Sequence, residues 1–129
     1  LNDELLEKMV LRCLEHDMFA ILEVFNQSEL DRANDMIKKT DGAIDSLLLG
    51  VNCRDLKSLK VDFTNFEKLA NDLPENTICV AESGLYGSND INKVIKMGYR
   101  AALIGTSLMQ SADPQATLQK MKAAASKSI

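Results

Sequence analysis

Gly50-Val51-Asn52-Cys53-Arg54-Asp55-Leu56 follows Ser46-Leu47-Leu48-Leu49, an apolar run with no polar alternation. Such a run is the pattern of a strand buried on both faces, as in a parallel sheet. Where it ends, an amide and a guanidinium stand two residues apart, and on an extended backbone Asn52 and Arg54 project to the same side. Polar groups at the carboxyl end of a parallel strand mark the place where α/β proteins put their chemistry.

Working outward, residues 19–24 read as a short buried strand before this one, and residues 77–81 and 101–104 as two after it. Helical signals fill the intervals. Leu5, Leu6, Met9, Val10, Cys13 and Leu14 make an apolar stripe over residues 4–16, with Asn2 or Asp3 as the cap. Ser28 with Asp31 resembles a capping box and opens a helix to about residue 39; Thr64 with Glu67 forms a second, for a helix that ends before Pro74. Ser88 caps a helix that Gly98 terminates, and Asp113-Pro114 opens the last one, to about residue 125. The predicted order is αβαβαβαβα, with four parallel strands recurring every roughly 25–30 residues.

A complete (β/α)₈ barrel takes about 250 residues, so 129 residues hold half of one, as a single segment over residues 1–129. The predicted fold class is therefore α/β, with four of the eight barrel strands. Left alone, four strands expose two long apolar edges. Either the chain is a fragment of a longer one, or a second half closes it: a missing amino-terminal half-barrel or a second copy. The fragment is the expectation.

Hydrophobic residues make up 46% of the chain and charged residues 26%, a globular rather than a disordered balance. A net charge of −4 argues against nucleic acid or an anionic membrane as partner. It leaves a local phosphate site open, because helix amino-termini can supply the field there. Cys13, Cys53 and Cys79 are odd in number and form no C-x-x-C pair, which predicts reduced thiols in a cytoplasmic protein. Cys53 lies between two inward-facing positions and is assigned no role. No apolar run approaches the roughly 18 residues that span a bilayer. The chain starts at Leu1 rather than Met, so any targeting segment is expected upstream of it. His16, the only histidine, suits the last turn of the first helix; no metal site and no cofactor are expected.

Parallel strands bring all four carboxyl ends to one rim. Glu23 follows the first, Asn52 and Arg54 the second, Glu82 and Ser83 the third, Gly105 and Thr106 the fourth. Ser83-Gly84 and Gly105-Thr106 are small residues directly after adjacent strands. Glycine lets an anion approach the backbone, and the Ser83 and Thr106 hydroxyls can donate to it. The bland alternative is a pair of tight turns that merely need glycine. Arg54 suits either a phosphate or a substrate carboxylate. Glu23 and Glu82 are acid–base candidates, since a partly buried carboxyl has a raised pKa; the alternative is a structural ion pair inside the barrel. Asn52 can hydrogen-bond substrate without competing for protons. Leu56, Leu59 and Leu103 either wall an apolar slot for an aromatic ring or belong to ordinary core.

These stretches also carry a resemblance. Gly50 to Leu56, with Ile21-Leu22-Glu23-Val24, Val80-Ala81-Glu82-Ser83-Gly84 and Leu103-Ile104-Gly105-Thr106-Ser107-Leu108-Met109, resembles the second half of indole-3-glycerol phosphate synthase. The motifs come in that family's order and spacing across nearly the whole chain. The resemblance implies a lyase of tryptophan biosynthesis acting on a phosphorylated small molecule. In that reaction a carboxyphenylamino-deoxyribulose 5-phosphate closes, decarboxylates and dehydrates to indole-3-glycerol phosphate. It implies Glu23 as general acid/base, and Asn52, Glu82 and Ser83 as orienting groups. Arg54, Gly84, Gly105 and Thr106 then line the anion sites.

The family's catalytic lysines, and a glutamate, come from barrel strands ahead of anything in this chain. Lys57 and Lys60 lack the matching motif, so the segment alone is expected to be inactive. Thr106 stands where serine is usual and keeps the hydroxyl. Another phosphate-binding barrel, phosphoribosylanthranilate isomerase, fits less well, because Glu23 occurs together with Asn52-x-Arg54. A non-catalytic phosphate-binding half-barrel that self-associates is the alternative from outside the enzymes.

Overall fold

The computed structural model describes residues 1–40, 46–55 and 58–127. Four parallel strands form one sheet in the order β1-β2-β3-β4: β1 Ala20–Val24, β2 Leu47–Asn52, β3 Ile78–Glu82 and β4 Ala101–Leu103. The helices are α1 Asp3–Glu15, α2 Gln27–Lys39, α3 Thr64–Ala70, α4 Ser88–Lys96, α5 Thr106–Met109 and α6 Pro114–Lys127. This is half a (β/α)₈ barrel. The expected elements are all present within a few residues of their predicted bounds; α5, a single turn after β4, was not foreseen.

Three helix entries differ from expectation, and in two of them an upstream side chain reaches the free N–H groups first. Asn26, not Ser28, caps α2: its Oδ1 accepts from Glu29 N at 3.0 Å, while the Glu29 carboxylate accepts from Phe25 N at 2.7 Å. Asp62, not Thr64, organises the start of α3, accepting from Thr64 N at 3.0 Å and Thr64 Oγ1 at 2.6 Å. Those bonds, the Thr64 hydroxyl foremost and then Lys68, hold the Asp62 carboxyl below its ordinary range. Gly87 stands at the cap position of α4, and Ser88 instead donates to Lys120 O on α6 at 3.3 Å. Elsewhere the expected caps form: Asn2 accepts from Leu5 N at 2.8 Å, and Asp113 from Ala116 N at 2.9 Å ahead of Pro114.

Side chains alternate across the sheet. Leu22, Val24, Leu47, Leu49, Val51 and Cys79 face the helices and are buried. They pack on Leu30, Phe66, Ile91, Val94 and Tyr99 in one core. Phe66 meets Phe63 and Tyr99 edge to face, each at 5.2 Å between ring centres, and Tyr99 donates its hydroxyl to Phe66 O at 3.1 Å. Burial pushes the Tyr99 hydroxyl pKa upward, so it stays a donor. Cys53 and Cys79 are buried free thiols pushed up to about 11 by desolvation, which makes them packing groups.

The opposite, concave face is open. Ile21, Ile78 and Leu103 are 47%, 50% and 58% exposed. The two-sided burial read from the sequence therefore holds for β2, which has a neighbour on each flank. The buried strand expected over residues 19–24 is instead buried on its helix face alone, because β1 lies at the sheet edge and Phe19, Ile21 and Glu23 are exposed. All three residues of β4 are exposed as well. The β4 edge is also shorter than the long edge expected. Among the described residues no helix is long and apolar enough to cross a membrane.

Candidate active site

The register decides which strand-end groups meet. Glu23 pairs with Gly50, Asn52 with Glu82, and Glu82 with Leu103. Glu23, Gly50, Asn52, Glu82 and Leu103 therefore share the concave face at the carboxyl rim. Asn52 is buried, with both ends of its amide bonded. Its Nδ2 donates to Glu23 Oε1 at 2.8 Å, and its Oδ1 accepts from Arg54 N at 2.8 Å. That second bond fixes the amide orientation and aims its donor side at the carboxylate.

The two carboxyls differ in a way the sequence reading did not separate. Glu23 lies on the edge strand and is exposed, whereas Glu82, on an inner strand, is only 4% exposed. The desolvation expected for Glu23 thus belongs to Glu82. Burial raises the Glu82 pKa above its ordinary value of 4.5, and the Glu23 charge and a hydrogen bond to Glu23 raise it further. A carboxylate beside another disfavours its own ionised form, so Glu82 holds its proton more tightly than a solvated carboxyl would.

On the other flank, Arg54, Ser83, Gly84, Leu103, Gly105 and Thr106 line one cavity of about 230 Å³, with Tyr86 and Ser107 at its wall. Ser83 and Gly84 both take left-handed backbone angles, φ 67° and 65°, and turn the chain sharply off β3. Glycine is required at the second position. A Cβ there would stand 2.6 Å from Cys53 Sγ and 2.8 Å from Val61 Cγ1. Gly105 is different: a Cβ there meets nothing within 4 Å, so its bare backbone faces the open cavity.

Arg54 also lines a second cavity, of about 460 Å³, with Glu23, Asn52, Glu29 and Asp55. It is therefore the residue common to the cavity at the Ser83-Gly84 and Gly105-Thr106 turns and the one that Glu23 lines. A short antiparallel bridge to Val61 and the bond from Asp55 N to Lys60 O, 2.9 Å, hold this segment. Leu56 lies outside the described residues, and Leu59 is 65% exposed and lines neither cavity. A larger apolar groove of about 510 Å³ runs between α1 and the free edge of β1, where a neighbouring strand is lacking. Among the described residues no group of three or more His, Cys, Asp or Glu could hold a metal ion.

Three residues of the site went unread in the sequence. Gly50 stood inside the apolar run, where a glycine marks a close approach by other groups. Asn65, buried on α3, donates to Phe25 O at 2.8 Å and Asn52 O at 3.0 Å, tying the ends of β1 and β2 together; no local pattern announces it. Ser107 has a buried hydroxyl bonded to no protein group among the described residues.

Comparison with known proteins places this geometry. The family model described as Indole-3-glycerol phosphate synthase matches residues 1–121. An indole-3-glycerol phosphate synthase of Mycolicibacterium smegmatis is 38% identical over 118 residues, covering 92% of this chain and 40% of the relative. That of Nocardioides sp. is 32% identical over 121 residues, 94% of this chain and 44% of the relative. That of Methanocaldococcus jannaschii is 41% identical over 97 residues, 75% of this chain and 33% of the relative. The chain spans less than half the length of these relatives. The crystal structure of the Amycolatopsis orientalis BexX/CysO complex shares the fold, with a TM-score of 0.69 at 15% identity over 98% of this chain and 49% of the other.

Proposed function

We propose, for a chain that belongs to the indole-3-glycerol phosphate synthase family, that it supplies the carboxyl-terminal half of the barrel for that reaction in the cytoplasm. The observation that carries the reading is Arg54, which joins a phosphate-sized pocket on one flank to the cavity that Glu23 and Asn52 line on the other. A substrate with a phosphate at one end and its reacting carbons several bonds away fits such a span.

The Ser83-Gly84 and Gly105-Thr106 turns hold the phosphate, with Arg54 neutralising its charge or reaching the aromatic carboxylate. In ring closure the aromatic carbon bearing the carboxylate bonds to the carbonyl carbon, whose oxygen takes a proton and becomes a hydroxyl. The bond to the carboxylate then breaks as carbon dioxide leaves. Dehydration follows: the hydroxyl departs as water and the neighbouring carbon gives up a proton. A pair that shares one proton can serve both halves of that last step, with Glu23 as general acid/base and Glu82 as its reservoir. Asn52 keeps Glu23 aimed. The acid for the closure step belongs to the amino-terminal half-barrel.

The test mixes this chain with the amino-terminal half-barrel of a relative, confirms assembly by sedimentation, and follows indole fluorescence. Neither half alone turns over, the assembled barrel does, and Glu23→Gln abolishes it. An assembled barrel that leaves the substrate unchanged overturns the reading. The open apolar concave face favours a second reading, a self-associating phosphate-binding half-barrel. A stable dimer that binds phosphate and refuses the other half supports that instead.

A further inference from the structure

The geometry points to Gly50 as a positioning residue for the carboxyl pair: its missing side chain is the opening through which Glu82 reaches across β2 to Glu23. Glu23 and Glu82 sit on β1 and β3, which β2 separates. Neighbouring strands lie about 4.8 Å apart, so the two backbones stand roughly 10 Å from each other. Two glutamates meet over that distance only by lying flat across the intervening strand.

The residue they cross is Gly50, which pairs with Glu23 on one side and lies two positions before Asn52, the partner of Glu82. Gly50 is buried although its face of the sheet is open. The groups above it are the Glu82 carboxyl and the Ile21 side chain. A Cβ at position 50 would come within 2.9 Å of Glu82 Cδ and 2.9 Å of Ile21 Cγ2, and nearer still to Glu82 Oε1. Its φ is not left-handed. Backbone conformation therefore does not demand glycine there; the crossing carboxyl does.

Among the described residues, the other charged groups lining the cavity at Glu23 are Arg54 and Asp55 from the segment after β2, and Glu29 from α2. None is among the nearest atoms that a methyl at position 50 would meet. A change there acts on Glu82 and on the uncharged Ile21 side chain, and leaves the surrounding charges in place.

The inference rests on the acid–base reading of this rim, but its test needs no turnover. The Glu82 carboxyl is titrated by carbon-13 NMR in the substrate-free chain and in Gly50→Ala. In the parent its midpoint stands above the ordinary carboxylate range. In Gly50→Ala the carboxyl is pushed off Glu23, and the midpoint falls toward that range, as it also does in Glu23→Gln. An unmoved midpoint in Gly50→Ala overturns the inference. If Gly50→Ala does not fold, Gly50→Ala combined with Glu82→Ala folds, because the nearest obstructing group has gone and Ile21 remains the lesser one. A double variant that stays unfolded makes Ile21 the obstruction and overturns it as well. An inactive assembled barrel with this titration intact refutes the catalytic reading and not the role of Gly50.

Discussion

Two glycines line the cavity proposed to hold phosphate, and replacing each by alanine separates what the backbone needs from what an anion would need. At Gly84, with φ 65°, alanine is held in the left-handed region at a cost of about 1–2 kcal/mol. Its methyl also lands 2.6 Å from Cys53 Sγ and 2.8 Å from Val61 Cγ1. The Cys53 thiol is wholly buried on a short side chain and cannot swing clear. Overpacking of this kind costs about 1–3 kcal/mol. Together that is about 2–5 kcal/mol, a large share of the about 5–15 kcal/mol that holds an ordinary domain folded. At Gly105 nothing lies within 4 Å of the added methyl and φ is −122°, so the expected loss is under about 0.5 kcal/mol. That methyl occupies the cavity, and phosphate affinity falls while stability does not. Urea unfolding gives the first quantity and calorimetric titration with inorganic phosphate the second. Cys53→Ala added to Gly84→Ala recovers part of the lost stability, leaving the backbone cost and Val61. Equal stability of Gly84→Ala and Gly105→Ala would refute the reasoning, as would unaltered phosphate binding by Gly105→Ala.

Arg54→Lys keeps the charge but loses the planar fork, and is expected to weaken inorganic phosphate binding about tenfold in the same calorimetric assay. Asn65→Leu strands the Phe25 and Asn52 carbonyls and is expected to cost about 2–4 kcal/mol by urea unfolding, with β1 and β2 losing amide-exchange protection at their ends. Tyr99→Phe removes one buried hydrogen bond and keeps both ring contacts, for a loss of about 1 kcal/mol. The folded-state pKa of Glu82 is raised above 4.5, so its favourable contribution is full below that pH and is lost as pH climbs through the folded value. Glu82→Gln therefore flattens the urea-midpoint profile between pH 4 and 8, and gains on the parent as pH rises. A parallel offset at every pH would contradict this.

Much of the site could be read from single residues because strand ends announce themselves. An apolar run that stops at Asn52-x-Arg54, and glycines directly after two later runs, place polar groups on one rim by backbone periodicity alone. Helix entries were less legible, since Asn26, Asp62 and Gly87 each precede the residue that resembled a cap, and at Asn26 and Asp62 the upstream side chain accepts from the free N–H groups. The ranking of the two glutamates was not legible at all. Glu23 and Glu82 stand at equivalent ends of similar runs, and their difference in burial comes from position in the sheet, edge against interior.

The order of elements, the parallel sheet and the common rim follow from the sequence by itself, because period, length and turn residues act between near neighbours. The pairing of Glu82 with Glu23 across Gly50, the sharing of Arg54 by two cavities, and the openness of the concave face were decided by tertiary structure. They depend on register and on which strand has a neighbour, and contacts between residues 27 or more positions apart leave no local trace.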